Sequence, residues 1–130
     1  MAHVIISGHG GYATAVKRNL TMLTGMTEGM TFIDFDEDDD LDTLVARLKE
    51  AAESCGEAAD LLFCCDLTGG SPFRQSAMLC AGHPGWITVA GLNSSAYTEM
   101  VFTMELSASE LAAKAMETTR NTVTRFPPEG

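Results

Sequence analysis

Residues 60–66 read DLLFCCD, five apolar residues in a row between two aspartates. A strand with one face in water alternates polar and apolar positions. An unbroken apolar run fits a strand buried on both faces, as in a parallel sheet covered by helices. Parallel strands are joined by long crossovers, so such a strand calls for helices on either side of it in the sequence. The rest of the chain supplies them. HVIIS (3–7), MTFIDF (30–35) and GWITVAG (85–91) read as three further strands. YATAVKRNLTML (12–23), LDTLVARLKEAAES (41–54) and SPFRQSAMLCA (71–81) read as the helices between them. Val16, Leu20 and Leu23 recur at helical spacing in the first helix, and Leu41, Leu44, Val45 and Leu48 share one face of the second. Aspartates before the second cap its start. Ser71 followed by Pro72 predicts an N-cap and first helical position for the third. Two more helices are predicted near 94–104 and 108–120, the latter opened by a capping box of Ser107 and Glu110.

The order is βαβαβαβα and one final helix. It predicts an α/β fold in one domain spanning residues 1–130, a doubly wound, mostly parallel four-stranded sheet with helices on both faces. TVTRF (122–126) reads as loop or as a short fifth strand ended by two prolines.

Charge narrows the function. Eighteen acidic residues against 8 basic ones give a net charge of −10, which argues against non-specific binding to nucleic acid or anionic membrane. The start MAHVIISGHGG lacks the regions of a signal peptide, and no apolar run reaches the length of a membrane span, so the expected location is the cytoplasm. The four cysteines form no C-x-x-C pair and read as reduced, buried thiols without zinc-ligand spacing. Adjacent Cys64 and Cys65 would point to opposite faces of a strand. The acidic run DFDEDDDLD (34–42) fits no EF-hand loop, since the sixth position counted from Asp34 is Asp39 rather than glycine; it reads as a solvated loop capping a helix. No metal and no cofactor are expected.

Ligands of doubly wound sheets bind beyond the carboxyl ends of the strands, at the switch point of the winding. The loop after the first strand holds His9 among Gly8, Gly10 and Gly11; the loop after the third runs from Asp66 to Ser71. If these strands are neighbours, the two loops face each other. Gly8 to Ala13 also matches the dinucleotide pattern G-x-G-x-x-A, with Asp34 placed 21 residues after Ala13 as a ribose-binding acid. Against that reading, the chain has no room for a second nucleotide-binding half, and the imidazole would sit where the pyrophosphate lies. The other reading is a phosphate site with its own nucleophile. Backbone N–H groups of Gly10 and Gly11 at a helix start would hold a phosphoryl group on His9. Asp66 would accept one ring N–H and fix the tautomer, or would merely cap a turn. Gly69, Gly70 and Ser71 form a second phosphate loop, with Ser71 as helix cap, phosphate ligand or both. Arg74 steadies a phosphoryl group, contacts a partner, or lies on the surface. His3 and His83 read as structural, and Met78, Met100 and Met104 as core or subunit interface.

GHGG (8–11), DLTGGSPF (66–73) and VAGLN (89–93) together resemble the IIA component (EIIA) of the mannose family of the bacterial phosphoenolpyruvate-dependent sugar phosphotransferase system (PTS). The resemblance covers nearly the whole chain. It implies that His9 accepts a phosphoryl group from the carrier protein HPr and passes it to an EIIB component, which phosphorylates the incoming sugar. It implies Asp66 as the hydrogen-bonding aspartate and Ser71 as the serine of GGSP. It implies no metal, because HPr delivers an activated phosphoryl group, and only indirect association with the membrane components EIIC and EIID. A homodimer is implied too, in some members through an exchanged C-terminal antiparallel strand, for which TVTRF is the candidate. Mannose-type members often carry threonine where this chain has Leu67, so a hydroxyl contact is missing there unless Thr68 replaces it. GHGG, DL-GG-PFR and GLN look most like the N-acetylgalactosamine or galactosamine branch, although the sugar binds the membrane components. The alternative is a small nucleotide-binding or regulatory α/β module without phosphotransfer.

Overall fold

The computed structural model describes residues 2–56 and 59–129. Four strands, β1 (Ala2–His9), β2 (Met30–Phe35), β3 (Asp60–Cys65) and β4 (Trp86–Ala90), alternate with helices α1 (Tyr12–Thr24), α2 (Leu41–Ser54) and α3 (Ser71–Cys80); α4 (Ser94–Met100) and α5 (Ala108–Thr122) follow. All the strand pairs are parallel and the order is β2-β1-β3-β4. The first and third strands are therefore neighbours, as the shared-crevice reading requires, and the winding reverses between them.

β1 and β3 are buried on both faces, and their side chains divide between two cores. Val4, Ile6, Leu62 and Cys64 face one way, against Leu20 of α1, Tyr97 and Met100 of α4 and Leu111 of α5. Ile5, Leu61 and Phe63 face the other way, against Leu44 and Leu48 of α2. The unbroken apolar run of β3 follows from this arrangement, because no position of the strand looks at water. Cys64 and Cys65 separate onto the two faces, Cys65 lying against Ser76 of α3. Burial pushes the Cys65 thiol up to about 12 and that of Cys64 well above its usual value, so neither offers a thiolate nucleophile.

Several boundaries and environments differ from the sequence reading. β1 continues to His9, because Gly8 and His9 stay in register with Asp34 and Phe35 of β2; the histidine ends a strand rather than lying in a loop. α4 stops at Met100 instead of 104, where the amides of Phe102 and Thr103 turn back to Glu99 and Met100 and tighten the end of the helix. Leu23 and Leu41, both expected on buried faces, lie exposed at helix ends, and Met78 is exposed as well. TVTRF forms no strand: Thr122 closes α5, and the segment after it makes no ladder with the described sheet. The capping box of Ser107 and Glu110 forms as expected.

Candidate functional site

The His9 ring stands at the carboxyl end of β1 with its side chain 45% exposed. Its Nδ1 lies 2.7 Å from Asp66 Oδ2, directly beyond the end of β3, and the backbone N–H of His9 donates to the same oxygen at 3.0 Å. The other carboxylate oxygen, Oδ1, accepts from Leu67 N–H at 3.0 Å. A carboxylate only accepts, so Nδ1 carries the proton and Nε2 keeps the free lone pair. Burial alone would raise the Asp66 carboxyl, but the hydrogen bonds from the His9 ring and backbone, the charge of that ring whenever it is protonated and the Leu67 N–H outweigh it. The net effect holds the carboxyl below its usual range. Asp66 is thus an ionised acceptor with both oxygens occupied.

Two helix starts approach this pair. Gly70 caps α3, and its α-carbon lies against the edge of the imidazole: a β-carbon there would overlap Cε1 and stand 3.1 Å from Nε2. Ser71 is the first residue of α3 rather than its cap, and no side chain caps that helix. The N–H groups of the first turn of α3 have no intrahelical partners, Pro72 having none to offer. Gly69, Thr68 and Leu67 are exposed in the turn before it.

The loop after β1 differs from its expected role. Gly10 has φ +58, a left-handed turn that a side chain disfavours, and its N–H donates to Phe35 carbonyl oxygen at 2.8 Å. Gly10 shapes the loop, and its donor is already taken. Gly11 caps α1 without a side-chain bond. Asp34 does that capping from β2, accepting from Thr14 N–H at 3.0 Å and from the Thr14 hydroxyl. Its carboxylate is engaged with the helix start, in place of the ribose-binding role that the dinucleotide reading needs. The Tyr12 ring packs over Gly8, and its hydroxyl meets that of Tyr97 at 2.8 Å.

Phe35, which the sequence reading missed, lies beside His9, the two ring centroids 5.9 Å apart. The pairing of His9 with Phe35 in the β1–β2 ladder is the signal that finds it, and it needs the strand order. The remaining candidates fall away from the site. His3 Nε2 bonds Thr31 Oγ1 at 2.8 Å, and His83 stacks on Trp86. In the acidic run, Asp40 caps α2 and Asp39 pairs with Arg47 at 2.9 Å. Among the described residues no three His, Cys, Asp or Glu side chains are grouped to hold a metal, and no helix is long and apolar enough to cross a membrane.

Residues 3–117 match the profile of the EIIA-man family, described as the PTS system fructose IIA component. The chain is 30% identical over 93 residues to the fructose-specific EIIA component of Bacillus subtilis, covering 72% of this chain and 64% of that protein. It is 28% identical over 122 residues to the mannose-specific EIIAB component of Escherichia coli K12, covering 92% of this chain and 38% of that protein. It therefore spans less than two thirds of either relative. Among solved structures, the mannose/sorbose specific IIA subunit of Enterococcus faecalis superposes with a TM-score of 0.89 at 24% identity, covering 99% of this chain and 97% of the other. The EIIA component of Streptococcus agalactiae does so with a TM-score of 0.87 at 22% identity, covering 97% and 98%. These two likenesses establish the fold.

Proposed function

The chain belongs to the EIIA-man family of sugar phosphotransferase system components, and on that premise we propose that it is a cytoplasmic phosphohistidine carrier with His9 as the acceptor. HPr is the donor and an EIIB component the recipient. The observation that carries this reading is the 2.7 Å contact between His9 Nδ1 and Asp66 at an exposed strand end. It leaves Nε2 as the nucleophile and places an anion behind the ring as positive charge develops on it.

In the transfer, the Nε2 lone pair attacks the phosphorus of the donor's phosphohistidine. A new N–P bond forms at His9 as the old one breaks, and its electron pair returns to the donor ring. The Nδ1 proton stays on His9, held by Asp66. The same exchange in the other direction loads EIIB, so no water and no metal enter the balance. The free amides at the start of α3, with Ser71, receive the phosphoryl oxygens, and Gly11 at the start of α1 adds a second positive helix end. Gly69 and Gly70 keep that approach open. Relatives named for fructose, mannose and sorbose share the domain, in keeping with a carrier that hands on phosphate without itself selecting the sugar.

Incubation with phosphoenolpyruvate, enzyme I and HPr, followed by intact mass measurement, tests the proposal. The expected result is one added phosphoryl group, acid-labile and base-stable, absent from His9→Ala. Undiminished labelling of His9→Ala would overturn it.

A further inference from the structure

We propose that Arg74 clamps the phosphoryl group on His9, a role that rests on the carrier reading above. Arg74 is the one charged residue of α3. Its backbone N–H donates to the Gly70 carbonyl at 3.0 Å, so it sits one turn below the residue whose α-carbon touches the His9 ring. Helical side chains lean toward the N-terminus of their helix and cover the turn before their own. From position 74 that direction leads over Gly70 toward Nε2, across about 6 Å of axial rise, which an extended arginine spans. The side chain is exposed, and no described carboxylate pairs with it.

Charge explains why a cation is needed there. The phosphoryl group arrives as an anion on a chain of net charge −10. The nearby carboxylates, Asp66 and Asp34, are both negative, one bound to His9 and the other to the start of α1. The first turn of α3 offers partial positive charge but loses one donor to Pro72. A guanidinium brings a full charge and a fork of donors suited to two phosphoryl oxygens. It serves the phosphorylated state and the transfer, and the resting site holds together without it.

The test uses the full chain, Arg74→Gln and Arg74→Lys, each phosphorylated on His9 by HPr or directly by potassium phosphoramidate. A 31P NMR titration then reads the second ionisation of the bound phosphoryl group with no partner present. A clamp favours the dianion, so Arg74→Gln should move that ionisation upward by on the order of one pH unit, and Arg74→Lys should restore part of it. Transfer from phospho-HPr should slow about tenfold in kcat with little change in KM. An unchanged titration overturns the clamp, and a rise in KM alone alongside it would make Arg74 a partner contact instead. A chain loaded by phosphoramidate but not by HPr overturns the carrier reading, and the titration still decides Arg74. A chain that neither donor labels overturns both.

Discussion

The α-carbon of Gly70 lies against the imidazole of His9, leaving no space for a β-carbon between them. The backbone of Gly70 is extended, with φ −91 and ψ 168, a conformation any residue adopts. The requirement for glycine is thus one of space at the ring. Gly70→Ala should fold, with its cost falling on the orientation of His9. Phosphoryl transfer should drop on the order of 10²-fold, as displacement of a reacting group does, while thermal stability changes little. Rapid-quench kinetics beside a melting curve checks it, and parent-like transfer would show that the ring moves aside freely.

Asp66→Asn separates orientation from turn capping. An amide also caps turns, but it can present N–H where the carboxylate accepts the Nδ1 proton. Transfer should fall on the order of 10²-fold or more if the pair orients and stabilises the ring. A rate within about threefold of the parent, less than ~0.7 kcal/mol of barrier, would reject that role.

The same pair predicts an acid-side effect on stability. The Asp66 carboxyl titrates below its unfolded value in the folded chain. Its contribution is therefore complete above the unfolded value of about 4 and is lost as pH falls through the lower folded value. The stability gap between the parent and Asp66→Asn should narrow as pH drops below about 4. Urea midpoints at several pH values measure it, and a gap that widens toward acid would contradict the ionised acceptor.

Asp34 caps α1 from a neighbouring strand through Thr14. Asp34→Ala should cost about 1 kcal/mol, the usual worth of a helix cap, which lowers the melting temperature by roughly 4 °C in a domain of this size. Equal stability would mean that water replaces the carboxylate at no cost.

Ser7 is 1% exposed on β1, and its hydroxyl has no hydrogen-bond partner. Ser7→Ala removes a buried polar group that makes no compensating bond, so the variant should be as stable as the parent or more stable by about 1 kcal/mol. A loss of similar size in chemical unfolding would reveal a partner for the hydroxyl.

Local pattern decided much of this protein. DLLFCCD fitted a strand covered on both faces, and the helical spacing around Leu20, Leu44 and Leu48 placed α1 and α2 correctly. The capping box at Ser107 set the start of α5. These features lie within one or two turns of chain, so the periodicity of a single element carries them. His9 and Asp66 were legible as candidates from local pattern too, His9 by the glycines around it just after an apolar run and Asp66 by closing one. Strand order is different, because it comes from how helices pack over the sheet and no short window of residues contains it. That order placed β1 beside β3 and brought His9 to Asp66 across 57 residues of sequence. It also put Phe35 beside the ring, committed the Gly10 amide to a carbonyl and turned Asp34 from a candidate ribose ligand into a helix cap. Local pattern thus assigned the elements and the reactive side chains, whereas packing between distant segments settled which of those groups meet, because a donor or a carboxylate is spent or spared by neighbours far away along the chain.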